Sequence, residues 1–289
     1  MKPSPFTYHR PDSVGQALEL LAAQPNARIL AGGQSLMAML NLRLASPEHL
    51  IDIGRIPALA GISEEPDAII IGAMTRQRDI ERSALIAQHL PLLTQAIAHV
   101  GHQQTRNWGT VGGSLCHLDP TAEIPAVAMA CDATLTVQSR RGLRVIAMAD
   151  FPLAMMTPNI EADEMLVAIR FPKWPAKHGA GFAEFARRHG DFSIAAAAAL
   201  VALDTAGNIA RISLTISGVA PTPLRLASAE QSLSGKSPTP ALLQGAAAAL
   251  DAIDVMDDPF YPAWYRKRIA ATVLGRALIG AVNAAQEKA

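Results

Sequence analysis

Cysteine is nearly absent from this 289-residue chain, which has only Cys116 and Cys131. Two thiols build no disulfide framework, which fits a reducing compartment and a cytoplasmic location. They also exclude a self-contained cysteine-ligated iron–sulfur cluster, which takes four thiolates. Net charge is absent too: 25 Lys plus Arg stand against 25 Asp plus Glu, with no basic run. That argues against nucleic acid as a partner, because neutralising phosphates needs clustered cations. No stretch approaches the ~20 apolar residues of a bilayer span. "SIAAAAALVAL" is too short, and "MKPSPFTYHRPDS" has no apolar segment behind its early lysine, so neither a membrane span nor a signal peptide is expected. Metal-ligand spacing is missing as well. Cys116-His117 with Asp119 has no C-x-x-C or H-x-x-H companion, and neighbouring residues of a strand would point to opposite faces. No metal site is expected.

What the sequence does have is paired glycines. "ILAGGQSLMAMLNLRL" (29–44) runs from a short apolar strand through Gly32-Gly33 into an amphipathic helix, and "RNWGTVGGSLCHLDPTAE" (106–123) repeats the device with Gly112-Gly113. Glycine permits close backbone approach and positive φ, and successive N–H groups can converge on an anion. Ser35, Thr110 and Ser114 add hydroxyl donors. Rival phosphate motifs fail: there is no G-x-G-x-x-G, no GK[ST] and no G-x-S-x-G.

Periodicity gives the layout. A strand at Phe6–His9, a helix opened by Ser13 and Gln16 in a capping-box spacing, the strand "ARIL", the helix "SLMAMLNLRL" and the strand "EHLIDI" form a β-α-β-α-β unit, for which parallel strands are expected. "AGISEEPDAIIIGAM" reads as a hairpin turning at Glu64–Asp67. Thr75 is placed to cap a helix through "TRQRDIERSALI", and "LPLLTQAIAHV" forms another that ends at Gly101. The helix "AEIPAVAMAC" and strands at "TLTVQS", "LRVIAM" and "EMLVAIRF" follow, with a boundary at Pro172 and Pro175. Three further strands come next. The run Ala195–Ala199 favours a helix by propensity, but its bracketing by turn residues at strand length predicts a buried strand. Helices are expected at 226–233, 240–253 and from about Pro262, the last with an apolar stripe through Ile269, Val273 and Ala277. His99 and His102 read as helix-end groups, Arg187-Arg188-His189 as a solvated turn or a contact for phosphates or a partner, and Met37 and Met39 as helix packing.

The segments "AGGQSLMAMLNLRLASPEHLIDI" and "QTRNWGTVGGSLCHLDPTAEIPAVAMACDA" resemble the FAD-binding medium subunit of molybdenum hydroxylases, a family that includes the flavin subunits of carbon monoxide dehydrogenase and quinoline oxidoreductases and the middle part of xanthine dehydrogenase. The resemblance extends to "IGAMTRQRDIE", "EMLVAIRFP" and "FARRHGDFSIAAAAA", and so covers essentially the whole chain. It implies that Leu30, Ala31, Gly32, Gly33, Gln34 and Ser35 on one side, and Thr110, Val111, Gly112, Gly113 and Ser114 on the other, cradle the FAD pyrophosphate. It implies Glu123 and Asp119 at the adenosine ribose, a role that suits carboxylate acceptors, and Leu36, Val100 and Leu166 as apolar walls. Phe192 falls where the family often has Tyr near the isoalloxazine ring, and Glu184 where some members carry Lys.

The fold implied is α+β. A two-part FAD-binding domain spans residues 1–175 (subparts about 1–56 and 57–175), and a C-terminal domain, 176–289, holds a three-stranded antiparallel sheet with a helical bundle. The function implied is that of the electron-transfer subunit of a heterotrimer. A large molybdenum-pterin subunit is expected to oxidise the substrate, an N-heteroaromatic compound by family analogy. A small subunit with [2Fe-2S] clusters relays electrons, and this chain passes them from FAD to an external acceptor, in a dimer of heterotrimers. The flavin carries the redox chemistry, so no catalytic side chain is assigned. Two other readings stay open: a stand-alone flavin-dependent oxidase or reductase, and a non-catalytic assembly subunit whose glycine loops are empty turns. Valine at Gly33 or Gly112 is expected to abolish FAD retention by blocking backbone approach to the ligand.

Overall fold

The computed structural model describes residues 2–288. Its first part follows the periodicity closely. Strand β1 (Thr7–His9), helix α1 (Val14–Ala23), β2 (Ala27–Leu30), α2 (Leu36–Asn41) and β3 (His49–Asp52) build a parallel sheet in the order β1-β3-β2. Ser13 opens α1 by accepting from the Gln16 N–H at 3.2 Å, and Gln16 accepts in return from the Asp12 N–H at 3.0 Å. Leu18 and Leu21 then pack against Ile51 and Ile53. Helix α2 is shorter than its apolar spacing predicts. It stops at Asn41 because Arg43 takes a left-handed φ of 58°, and the Leu44 N–H turns back to the Met39 carbonyl at 2.9 Å.

The second part is a five-stranded antiparallel sheet covered by short helices. The hairpin β4 (Ile62–Glu64) and β5 (Ala68–Gly72) leads into α3 (Gln77–Arg82), α4 (Ala84–His89), α5 (Pro91–Ile97), α6 (Gln103–Trp108), α7 (Val111–His117) and α8 (Glu123–Ala130). Then come β6 (Thr134–Ser139), β7 (Gly142–Ala147), the small pair β8 (Pro152–Ala154) and β9 (Thr157–Pro158), and β10 (Met165–Pro172), which takes the middle of the order β4-β5-β10-β6-β7. Ile69, Ile71, Leu135, Val137, Ile169 and Phe171 are fully buried beneath the helices. The structure differs from the sequence pattern at three places. The helix foreseen from Thr75 to Ile86 breaks at Ser83, whose hydroxyl caps α4 by accepting from the Ile86 N–H at 3.3 Å. Thr75 caps nothing; its hydroxyl exchanges hydrogen bonds with the Gly61 N–H and carbonyl, both at 2.9 Å. Cys116-His117, read as strand, lies on helix α7.

The third part is a sheet of β11 (Gly179–Ala186), β12 (Ser193–Leu203), β13 (Ile209–Ser217) and β14 (Leu224–Arg225), in that order and antiparallel, followed by α9 (Ala227–Leu233), α10 (Pro240–Gly245) and α11 (Ala263–Gln286). It has four strands where three were expected, the fourth being two residues long. Helix α10 ends at Gly245, and a 3₁₀ stretch continues from Ala246 to Ala252. The alanine run is indeed strand. Ala195, Ala197 and Ala199 face the core shared with α11, while Ala198 and Leu200 belong to the core under the second sheet. Burial on both faces overrides helix propensity. Small residues are needed because α11 lies close: a side chain at Gly179 or Gly181 would run into the Ala281 or Ala277 carbonyl. By length and composition α11 is apolar enough to cross a membrane, contrary to the expectation of no such stretch, but it is the cover of this sheet and buries Ala270, Val273, Leu274, Ala277 and Leu278.

Candidate functional site

All three parts contribute to one cleft of about 1450 Å³. Its walls are the 31–36 turn after β2, the first turn of α7, the 156–166 segment entering β10, the 187–192 turn between β11 and β12, and Phe260-Tyr261 ahead of α11. Sites for drug-sized ligands run from roughly 300 to 1,000 Å³. This cleft has room for a larger, extended molecule.

The first glycine pair does two different jobs. Gly32 is where two loops touch: a side chain there would strike the Trp108 carbonyl and come within 2.9 Å of the Gly109 Cα. Gly33 holds a left-handed φ of 72°, so that the chain can turn from β2 into α2. The backbone N–H groups of Gly33, Gln34, Ser35 and Leu36 have no acceptor among the described residues. Ser35 precedes α2 but makes no side-chain cap bond. Gln34 donates its amide to the Gly32 carbonyl at 3.1 Å. The turn therefore offers free donors to the cleft, an arrangement that suits an anion.

The second pair differs from its sequence reading. It is not a loop but the first turn of α7, and its N–H groups already have acceptors. Thr110 caps the helix by accepting from the Gly113 N–H at 3.0 Å, and the Ser114 N–H reaches the Thr110 carbonyl at 3.1 Å. The Val111 and Gly112 N–H groups donate to the Thr75 and Ala73 carbonyls at 3.1 and 2.8 Å. No second set of free N–H donors exists here among the described residues. A Cβ at Gly112 would sit 2.7 Å from the Ala73 carbonyl oxygen and Cβ, so this glycine serves the docking of α7 on the end of β5 and not the approach of a ligand. Val111 is fully buried in the core, and Leu30 packs beneath Gly33; neither lines the cleft. Thr110, Gly112, Gly113 and Ser114 do, as do Ala31, Gly32, Gly33, Gln34, Ser35 and Leu36.

Val100, Leu166, Asp119, Glu123 and Phe192 also reach the cleft. One Asp119 carboxylate oxygen accepts from the Thr121 N–H and hydroxyl at 2.8 and 2.6 Å. Phe192 stands 77% exposed. Glu123 opens α8 and is buried, facing the Glu184 carboxyl of β11, whose side chain is 4% exposed. Burial pushes Glu123 up to about 7, and burial together with the Glu123 charge pushes Glu184 up to about 8. Desolvation likewise raises the Cys116 thiol, on the cleft wall, to about 12, leaving it neutral and unreactive. Among the described residues no group of His, Cys, Asp and Glu is placed to hold a metal ion.

Two contributors were not legible in the sequence. Arg106 is buried, donates to the Val100 and Gly101 carbonyls at 3.1 and 3.3 Å, and makes a bidentate pair with Glu81 at 3.1 Å, which fixes the apolar wall. Gln77 reaches the cleft with a buried Oε1 that has no hydrogen-bond partner. Nothing in the spacing marks either residue: Arg106 meets Glu81, 25 positions away, and Gln77 meets the cleft only in the folded chain.

The chain matches two family models. One, described as the FAD binding domain in molybdopterin dehydrogenase, covers residues 4–174. The other, the CO dehydrogenase flavoprotein C-terminal domain, covers residues 180–281. The chain is 40% identical over 288 residues to the 6-hydroxypseudooxynicotine dehydrogenase complex subunit alpha of Paenarthrobacter nicotinovorans, covering 99% of this chain and 97% of that protein. It is 38% identical over 281 residues to the carbon monoxide dehydrogenase medium chain of Hydrogenophaga pseudoflava, covering 96% and 97%. A solved structure of carbon monoxide dehydrogenase from H. pseudoflava, lacking the Mo-pyranopterin moiety of the molybdenum cofactor, aligns with a TM-score of 0.95 at 37% identity, covering 98% of this chain and 99% of that one.

Proposed function

The chain belongs to the FAD-binding medium subunits of the carbon monoxide dehydrogenase and xanthine dehydrogenase family, and from that premise we propose that its cleft seats one FAD with the pyrophosphate on the Gly33–Leu36 turn. As a member it is an oxidoreductase subunit, the FAD-binding component of a molybdenum hydroxylase. The observation that carries the seat is the row of four N–H groups without acceptors, together with the Ser35 hydroxyl, at a cleft above the usual size range for drug-sized ligands. The residues present fit the cofactor. The free donors match an anionic pyrophosphate, the Gln77 Oε1 can accept from a ligand N–H or O–H, and Leu36, Val100 and Leu166 suit an aromatic ring system. Ala31 to Ser35 hold one side of the pyrophosphate. Thr110 and Ser114 supply hydroxyls from the other side, with Gly112 and Gly113 shaping the wall. Glu123 and Asp119 accept from the ribose hydroxyls, and Phe192 covers the ring end.

When bound, FAD supplies the electron-transfer chemistry. The protein's part is to bind it, orient it and exclude water. We assign the first domain to residues 1–175 and the second to 176–289, a division supported by the two family matches. We further propose that electrons arrive from the [2Fe-2S] clusters of a small partner subunit, that a large subunit oxidises the substrate at a molybdenum-pterin site, and that the assembly is a cytoplasmic dimer of heterotrimers delivering electrons to an external acceptor. The likeness to a subunit of a 6-hydroxypseudooxynicotine dehydrogenase complex supports an N-heteroaromatic substrate. The test is the absorption spectrum of the natively purified complex and of this chain after separation. Flavin bands at one FAD per chain, with iron–sulfur absorbance confined to the complex, support the reading. A well-folded chain that copurifies without flavin or partners overturns it.

A further inference from the structure

Glu123 and Glu184 form a buried carboxyl pair that the flavin reading alone does not account for. Glu123 projects from the start of α8 into the cleft wall, 8% exposed. Glu184 projects from β11, with its side chain 4% exposed and its Oε2 buried without a hydrogen-bond donor. Among the described residues no full positive charge acts on them. Across β12, Glu184 is paired with Ala196, and α11 meets β11 through Ala277 and Ala281. Helix α5 contributes the neutral Gln95, whose amide is occupied by the Ala180 carbonyl and the Phe182 N–H. The titratable neighbours are Asp119, which repels Glu123, and His99, 3.9 Å from Glu184. Burial and the adjoining His189 ring hold His99 below the usual histidine range, so it is neutral near pH 7.

Two buried carboxylates facing each other would repel, and the Glu184 Oε2 would lack a donor. One proton between them removes both problems, since a carboxylic acid is a donor and its neighbour an acceptor. Resting on the FAD reading above, we propose that Glu184 is a neutral carboxylic acid whose O–H bonds the Glu123 carboxylate, and that this bond positions Glu123 as an acceptor for hydroxyls of the cofactor. Glu184 is thus a positioning residue. The raised proton affinities of both carboxyls agree with this arrangement. Loss of the shared proton in alkali turns the hydrogen bond into a repulsion that pushes the Glu123 carboxylate out of place.

Two measurements on the full chain separate this claim from the FAD reading. The first is infrared titration of the flavin-free protein. A protonated-carboxyl C=O band persisting at pH 7 in wild type and absent in Glu184→Gln is expected; no such band, or one unchanged in the variant, overturns the shared proton. The second is the dissociation constant for FAD, read by flavin fluorescence across pH. Wild-type affinity should fall roughly tenfold or more as pH rises past about 8, the size expected for losing a hydrogen bond to a charged group. Glu184→Gln, whose amide donates at every pH, should bind like wild type at pH 7 and stay flat, while Glu184→Ala should bind weakly throughout. A Glu184→Gln protein as weak as Glu184→Ala, or a wild type flat through alkaline pH, overturns the positioning role. A wild type that takes no FAD at any pH overturns that role and the FAD reading together, while the infrared band still decides the proton.

Discussion

Alanine placed at Gly33 and at Gly112, one at a time, separates a ligand seat from a docking joint. At Gly33 the φ of 72° costs an L-residue roughly 1–2 kcal/mol. The new Cβ would lie 3.2 Å from the Met37 Cγ, the middle of a flexible side chain that can yield. The turn relaxes, its four N–H groups lose their common aim, and FAD affinity falls about 5- to 30-fold, at 1.4 kcal/mol per tenfold. Stability of the flavin-free chain falls by no more than the same ~1–2 kcal/mol. At Gly112 the Cβ would lie 2.7 Å from the Ala73 carbonyl oxygen and 2.9 Å from its Cα, which are backbone atoms with nowhere to go. The Gly112 and Val111 hydrogen bonds to Ala73 and Thr75 break together. At about 1 kcal/mol each, plus about 1–3 for overpacking, the loss is roughly 3–5 kcal/mol, a large share of a domain's total stability. Urea unfolding followed by fluorescence of the three tryptophans reads stability, and flavin quenching reads affinity. A Gly112→Ala protein with wild-type midpoint, or a Gly33→Ala protein that unfolds early yet holds FAD as tightly as wild type, refutes the division of roles.

Ser35→Ala should leave the urea midpoint of the flavin-free chain within about 0.5 kcal/mol, since the hydroxyl caps nothing, while weakening FAD by about tenfold. Arg106→Met strips the Val100 and Gly101 carbonyls and Glu81 of their donor; a loss of about 3 kcal/mol is expected, at the low end for a broken buried pair because the Glu81 side chain is a third exposed. Gly181→Val should prevent α11 from closing on β11, seen as loss of the cooperative thermal transition of the C-terminal part. For pH, the folded chain holds protons on Glu123 up to about 7 and on Glu184 up to about 8, whereas unfolded glutamates release theirs near ~4.3. Between those values the folded form binds more protons, so the pair's contribution to stability is greatest below ~4.3 and is lost as pH rises through 8. Chemical denaturation of the flavin-free chain should show that decline, and Glu184→Gln should flatten it.

The elements legible in the sequence were those whose pattern is local. The β-α-β-α-β unit declared itself through the Ser13–Gln16 spacing and the Leu18, Leu21 repeat, and the Ala195–Ala199 strand through its bracketing turns. The glycine pairs marked the right walls of the cleft but suggested the wrong reason for two of their members. Gly32 and Gly112 are glycine because Trp108 and Ala73 press on them, and sequence spacing carries no trace of a contact made by tertiary folding. The α7 turn escaped notice because Gly112 and Gly113 are poor helix formers, while Thr110 capping and the β-like bonds to Ala73 and Thr75 hold the turn regardless. The Glu123–Glu184 pair joins residues 61 positions apart and could not be read from spacing.

Every role proposed for the cleft depends on its being an FAD seat built on the Gly33–Leu36 donors. Calorimetric titration of FAD into the flavin-free chain, with near-ultraviolet circular dichroism confirming that it is folded, tests this most directly. One FAD per chain, with affinity reduced in both Ser35→Ala and Gly33→Ala, is the predicted result. A folded chain that takes up no FAD, or takes it up with an affinity indifferent to both substitutions, would contradict it.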